Sequence, residues 1–303
     1  MTTSRELQTG VIEKANRRKY FLEGLSAKIF LGCALLSVVS LLLIIGFVFF
    51  KGSTPFVSGE YGVLDFLFGT EWVPSEGQFG IFPMIVASIF ATIGALILGV
   101  PVGLFTAIFL AEIAPKKLAK IISPAIQLLA GIPSVLYGVF GLAIIVPFLQ
   151  NNLGLARGQS LLAVIIVLAI MMLPTIVTVA ETAIRAVPKT YREGSLALGV
   201  SQIGTIFKVV VPAAKSGIMA AIVLGLGRAL GETMAVILVA GNSLIIPTSL
   251  TDSIRPLTTN IALEMGYAAG THQEMLFATG IVLFSFILIL NFVLAKISAK
   301  GDN

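Results

Sequence analysis

The chain has 303 residues, of which 57% are hydrophobic and only 12% charged, with a mean hydropathy of +1.01. A soluble globular domain carries about twice that charged fraction, so the composition excludes a water-soluble enzyme or binding module and points to a chain immersed in a lipid bilayer. The formal net charge of +5 is not a nucleic-acid footprint, because the basic residues stand at the ends of apolar runs.

Residues 1–28 form a basic N-terminal segment with Arg17, Arg18, Lys19 and Lys28. An uncharged run over 29–50 follows. It is longer than the about 7–15-residue apolar region of a signal peptide, and no small-x-small site follows Phe50, so it predicts a retained first transmembrane helix. Cys33, the only cysteine, lies inside this run and excludes an intramolecular disulfide and any cysteine-based metal site. Residues 51–80 form a polar loop with Glu60, Asp65, Glu71, Glu76 and the only tryptophan, Trp72, an expected interfacial anchor. A core over 81–296 then holds five further spans, predicted at Phe82–Ala111, Ile121–Phe148, Leu161–Ala180, Ser216–Ala240 and Met275–Ala295. Pro101 and Pro133 predict tilt, a kink or a break in the second and third spans. The polar stretch 241–274 either dips into the membrane or docks a soluble partner. His272, within it, lacks companions for a metal site and reads as a plain loop histidine. Residues 297–303 are a polar tail.

Lysine and arginine set the orientation. Sixteen lie in alternate connections: six in the N-terminal segment, three after the second span, five after the fourth and two at the C-terminal end. The other connections hold only Lys51, Arg157 and Arg255. The positive-inside rule then predicts six spans with both termini cytoplasmic in a plasma (inner) membrane.

The longest internal cytoplasmic connection, 181–215, does not read as a flexible linker. Pro188 suits a first helical position, and 189–198 contain few helix breakers. Gly199 stands where a left-handed cap falls, and Ser201 offers an N-cap for a second short helix. Pro212 is expected to open the fifth span. Two short helices joined at a glycine form a lever beneath the membrane.

Within this lever, Glu193-Gly-Ser-Leu-Ala-Leu-Gly199, nine further residues and Val209-Val-Val-Pro212 resemble the EAA loop of ABC-importer permeases, with Gly194 and Ser195 replacing its alanines. The strings GIFPMIVASIFATIGALILGVPVG, LLAGIPSVLYGVFGL and GRALGETMAVILVAGN are similar to the C-type permease of phosphate-specific ABC importers. The resemblance covers about 80–295. It implies an all-α type I importer permease fold of six transmembrane helices, working as half of a heterodimeric pore. It also implies a second, A-type permease, an ABC ATPase dimer and an extracytoplasmic phosphate-binding protein as partners. Glu193, Gly199, Arg192 and Pro212 are the expected ATPase-coupling residues. No Gly-Lys dipeptide occurs, so the chain has no G-x-x-x-x-G-K-[ST] phosphate loop, and ATP must act through another chain. No cofactor, metal site or catalytic residue is expected on this one.

Arg228 lies midway between Lys215 and Gly241, where an arginine costs at least about 2.5 kcal/mol. Glu232 is four residues on, about 6 Å along a helix. The two either neutralise each other as structural glue or form part of an anion pathway. Arginine before glutamate is the weaker order for an intrahelical pair, and guanidinium suits phosphate through paired donors. Gly227-x-x-x-Gly231 reads as a close helix-packing face. Two rival functions remain: a permease for another oxyanion such as sulfate or molybdate, and an ion-driven secondary carrier. The second would commonly show an inverted repeat, and none is evident.

Overall fold

A computed structural model describes residues 3–299, with side chains from 23 to 293 and at Lys296. The side chains of Arg5, Lys14, Arg17, Arg18 and Lys19 lie outside that range, and Lys300 lies outside the described residues. The chain divides into two units, Met1–Lys51 and Gly52–Asn303. The first is the larger part of one helix, α1 (Thr3–Val57). Its apolar side chains are exposed from Leu25 to Phe50, an exposure satisfied by lipid rather than water.

The second unit starts with a short helix, α2 (Val63–Phe68), and a two-stranded antiparallel hairpin, β1 (Trp72–Val73) and β2 (Gln78–Phe79). Next comes α3 (Phe82–Ile108), which runs through Pro101 without a break and ends in a π-helical turn over Phe109–Ile113. The predicted third span is divided. Its first part is α4 (Lys116–Ala130), and α5 (Ser134–Phe140) starts only after Gly131, Ile132 and Pro133. A π-helical turn over Gly141–Ile145 and α6 (Val146–Leu153) complete a 20-residue crossing from Ser134 to Leu153. Pro133 has no N–H and extended backbone angles, so the break falls there rather than at Pro101.

The fourth span, α7 (Leu161–Ala186), is capped by Ser160, whose hydroxyl accepts from Ala163 N. It is followed by α8 (Lys189–Ala197), α9 (Gln202–Thr205), a π-helical turn over Ile206–Val210 and α10 (Val211–Ala213). A bend of 71° then leads into α11 (Lys215–Gly231). The fifth span is also interrupted: Glu232 and Thr233 leave the helix, and α12 (Met234–Val239) resumes it. A loop leads to α13 (Leu257–Glu264), and α14 (Thr271–Ala299) is the sixth span. Among the described residues five helices are long and apolar enough to cross a membrane, or six if the bent pair Gln202–Ala213 and Lys215–Gly231 is one span.

Lipid gives helices no hydrophobic reason to associate, so small residues decide their packing. A Cβ added at Gly103 of α3 would lie 2.7 Å from Ile176 Cγ2 of α7, and Gly94 and Gly99 face Ile165 and Met172 in the same way. These contacts advance along both helices together, so α3 and α7 run parallel. On α11, Gly217 faces Ala183 and Gly225 faces Ile176, so α11 runs antiparallel to α7. The expected face at Gly227 and Gly231 meets no other element of this chain: among the described residues, apart from the local helix backbone, no atom lies within 4 Å of where either Cβ would stand. Gly225, two positions before Gly227, packs instead on the side of α11 away from it.

Candidate functional site

At the basic end, where α3 and α7 finish and α11 begins, the chain builds the lever. Pro188 is the residue before α8 rather than its first residue, because its ψ of 139° is still extended. α8 ends at Ala197 with Leu198 as its C-cap, and Gly199 turns the chain with φ +80°. That left-handed angle strains any residue carrying a Cβ. Ser201 caps α9, its hydroxyl accepting from Gly204 N at 3.2 Å. The buried hydroxyls of Ser195 and Thr205, 2.9 Å apart, tie the two short helices together. Ser195 replaces an alanine of the EAA pattern and makes the link an alanine could not. Pro212 lies exposed in α10, just before the 71° bend, instead of opening the long helix. Ala214, with ψ near 5°, makes the turn.

Glu193 is exposed and forms no hydrogen bond or ion pair with the described residues. Around it Tyr191, Leu196, Leu198 and Ile203 also present apolar surface, Leu198 with 86% of its area exposed. Arg192 points the other way. Its Nε donates to both oxygens of Glu112 at 3.1 Å, and Nη2 also bonds Glu112 and the Ile184 carbonyl. Glu112 carries no local signal in the sequence: it lies 80 residues from its partner, in the π-helical turn that ends α3. Arg185 reaches the same turn, donating to the Leu110 carbonyl at 2.6 Å and to Glu181 at 2.9 Å. Glu181 in turn accepts from Ser123 of α4.

At the middle of the fifth span, Arg228 and Glu232 are not paired. Glu232 caps α12, its Oε1 accepting from Ala235 N at 3.0 Å while its carbonyl accepts from the Thr258 hydroxyl. The break therefore places the carboxylate at the start of one helix and Arg228 in the last turn of another, the end each charge prefers. Half-buried Arg228 forms no hydrogen bond or ion pair with any described residue. Its charge reaches toward Tyr137 of α5. A small cavity of about 20 Å³ beside the break is lined by Ser88, Thr92, Glu232 and Thr258.

The opposite end holds a polar network centred on Glu264. Glu264, with 8% of its side chain exposed, accepts from Trp72 Nε1, Arg255 Nη1 and His272 Nε2, each at 2.8 Å. Arg255 also donates to the carbonyl of Asn242 and to Asn260 Oδ1. Trp72 is thus a buried donor, 4% exposed, rather than an interfacial anchor, and His272 lies in the first turn of α14 as part of the network.

Together, a helical bundle crossing the membrane, a discontinuous span with an unmatched arginine and an exposed helical lever define a multi-pass transport permease with a type I ABC importer permease fold. The chain belongs to the family of binding-protein-dependent transport system inner membrane components, whose family model matches residues 99–300. It is 40% identical to the probable ABC transporter permease protein YqgH of Bacillus subtilis, over 87% of this chain and 88% of that one. It is 36% identical to the phosphate transport system permease protein PstC of Pasteurella multocida, over 72% of this chain and 74% of that one. A chain of the MetNI methionine ABC transporter, solved in inward-facing conformations, superposes with a TM-score of 0.55 at 20% identity, covering 73% of this chain and 94% of its own.

Proposed function

We propose that this chain is the C-type transmembrane subunit of an ATP-driven importer that carries inorganic phosphate across the plasma membrane. Phosphate near neutral pH bears one to two negative charges, and removing its water without a counter-charge is prohibitive. An unmatched guanidinium at mid-span lowers that barrier, and its fork of donors fits phosphate oxygens. Arg228, half-buried and unpaired beside the helix break, is the observation that carries this reading, and the likeness to PstC supports the choice of phosphate. The lysine and arginine distribution supports a basic end that faces the cytoplasm, with both termini inside.

ATP is hydrolysed on a separate ATPase dimer, which receives Glu193 and the apolar rim of the lever around Gly199. Arg192 and Pro212 hold that lever in place. A second, A-type permease completes the pore, and an extracytoplasmic binding protein delivers phosphate to the Glu264 end. Closure and separation of the ATPases alternate access to Arg228, and the chain itself performs no covalent chemistry. Proteoliposomes containing the complete transporter and its binding protein test the reading. Labelled phosphate should accumulate with ATP, and a hundredfold excess of sulfate or molybdate should not compete. Uptake of sulfate or molybdate in place of phosphate would assign the chain to another oxyanion.

A further inference from the structure

The lever is joined covalently at both ends, to α7 through Val187 and Pro188 and to α11 through the π-helical turn Ile206–Val210 and the 71° bend. Ile206 and Val210 also pack in one buried cluster with Ile108 and Leu110 at the end of α3. The contact of Arg192 with Glu112 adds a polar connection to that same end. It is a bidentate pair, with guanidinium and carboxylate side chains only 20% and 11% exposed. Two more donors of the same guanidinium bond the carbonyls of Val187 and Ile184. Arg192 therefore cannot swing away without leaving Glu112 partly desolvated and unmatched. Arg185 fastens the same turn from α7 through the Leu110 carbonyl.

The turn that receives these bonds is π-helical, a local widening of the helix that concentrates at functional positions. It ends α3, an unbroken 27-residue helix about 40 Å long. The far end of α3 reaches the centre of the fifth span: Ser88 Oγ accepts from Leu257 N at 3.0 Å, and Ser88 and Thr92 line the cavity beside Glu232 and Thr258. α3 thus runs as one continuous helix from the lever to the helix break, beside the covalent routes through α7 and α11.

We propose that Glu112 is a positioning residue for coupling, which locks α8 to α3 through Arg192 and so delivers movement of the lever to the helix break from a second side. Contiguity alone does not prove coupling. The test must therefore separate transmission from scaffolding. The proposal rests on the importer function argued above, so phosphate uptake by the unaltered transporter is the control. If that control fails, the substrate assignment falls and not the coupling.

The experiment reconstitutes the complete transporter with Glu112→Gln and measures phosphate uptake and ATP hydrolysis in the same vesicles. Glutamine keeps the shape but loses the charge that holds Arg192. The expected result is normal co-purification of the ATPase, continued ATP hydrolysis, and at least a tenfold drop in phosphate carried per ATP. The double exchange Glu112→Arg with Arg192→Glu restores opposite charges across the contact and should recover part of that ratio. An unchanged ratio in Glu112→Gln would overturn the proposal. So would a loss of uptake proportional to a loss of assembled ATPase, which would make the pair a scaffold only.

Discussion

Arg255 and Arg228 are both partly buried guanidinium groups in one chain, and their surroundings differ in every respect. Arg255 is matched: it donates to Glu264, to Asn260 and to the Asn242 carbonyl, and Glu264 is itself closed off by Trp72 and His272. Arg228 has no such partner among the described residues, although Glu232 is only four positions away and is engaged with Ala235 N. Burying a charge is tolerable when bonds replace water, and a charge left unmatched implies that something else fills the place. The matched end is architecture. The unmatched one is the proposed place of anion passage.

If that contrast holds, Arg228 should give the largest functional effect. Arg228→Gln is expected to lower phosphate uptake at least a hundredfold. Arg228→Lys should keep a measurable fraction, because an ammonium retains charge and loses the fork of donors. Labelled uptake in reconstituted vesicles reads both.

The lever should be nearly as sensitive. At φ +80° a β-branched residue is strained by about 1–3 kcal/mol, enough to displace the turn. No neighbouring atom lies within 4 Å of an added Cβ, so the strain is conformational and not steric. Gly199→Val is expected to insert normally and to lose most substrate-stimulated ATP hydrolysis. Full activity in that variant would detach the turn from coupling.

At the matched end the effect should appear in stability instead. Arg255→Met strips Glu264 of its cation and should cost about 3 kcal/mol, read as a lower unfolding midpoint of the solubilised complex.

The smallest effect concerns Asp252. Its carboxyl is held below the usual carboxylate range by the backbone N–H groups of Thr248 and Ser249 and by the Thr248 hydroxyl. A depressed folded pKa means that the stabilisation is complete above the ordinary carboxylate pKa and is lost as pH falls through the lower folded value. Hydrogen exchange at the Thr248 and Ser249 amides, corrected for intrinsic rate, should accelerate only in that acid window. Asp252→Asn should raise it a few-fold at neutral pH, and an unchanged rate would remove the carboxylate from the loop's support.

The parts legible in the sequence were those governed by local rules. Phe82 and Leu161 begin their helices where hydropathy places them, and Gly199 and Ser201 do what their backbone preferences and side chains dictate. The sequence places the end of the fourth span at Ala180, because Glu181 and Arg185 look like an exit into water. In the fold Glu181 meets Ser123, Arg185 meets the Leu110 carbonyl, and the helix continues to Ala186.

The break at Glu232 was hidden for a similar reason. Its supports are the Ala235 amide and Thr258, the latter 26 residues on, while Met234–Val239 keep the apolar run continuous. The only local hint was Gly-Glu-Thr in the middle of an apolar stretch. Trp72 and Glu264 are separated by 192 residues, so no periodicity or spacing could have joined them.

The contrast between matched and unmatched arginines is tested most directly by measuring uptake per assembled transporter for Arg228→Gln and Arg255→Gln side by side. Co-purified ATPase would count the complexes, and labelled phosphate would count the turnovers. The account predicts that Arg228→Gln yields normal amounts of complex that do not transport, whereas Arg255→Gln yields fewer complexes that each transport at close to the normal rate. Normal turnover in well-assembled Arg228→Gln transporters would contradict it.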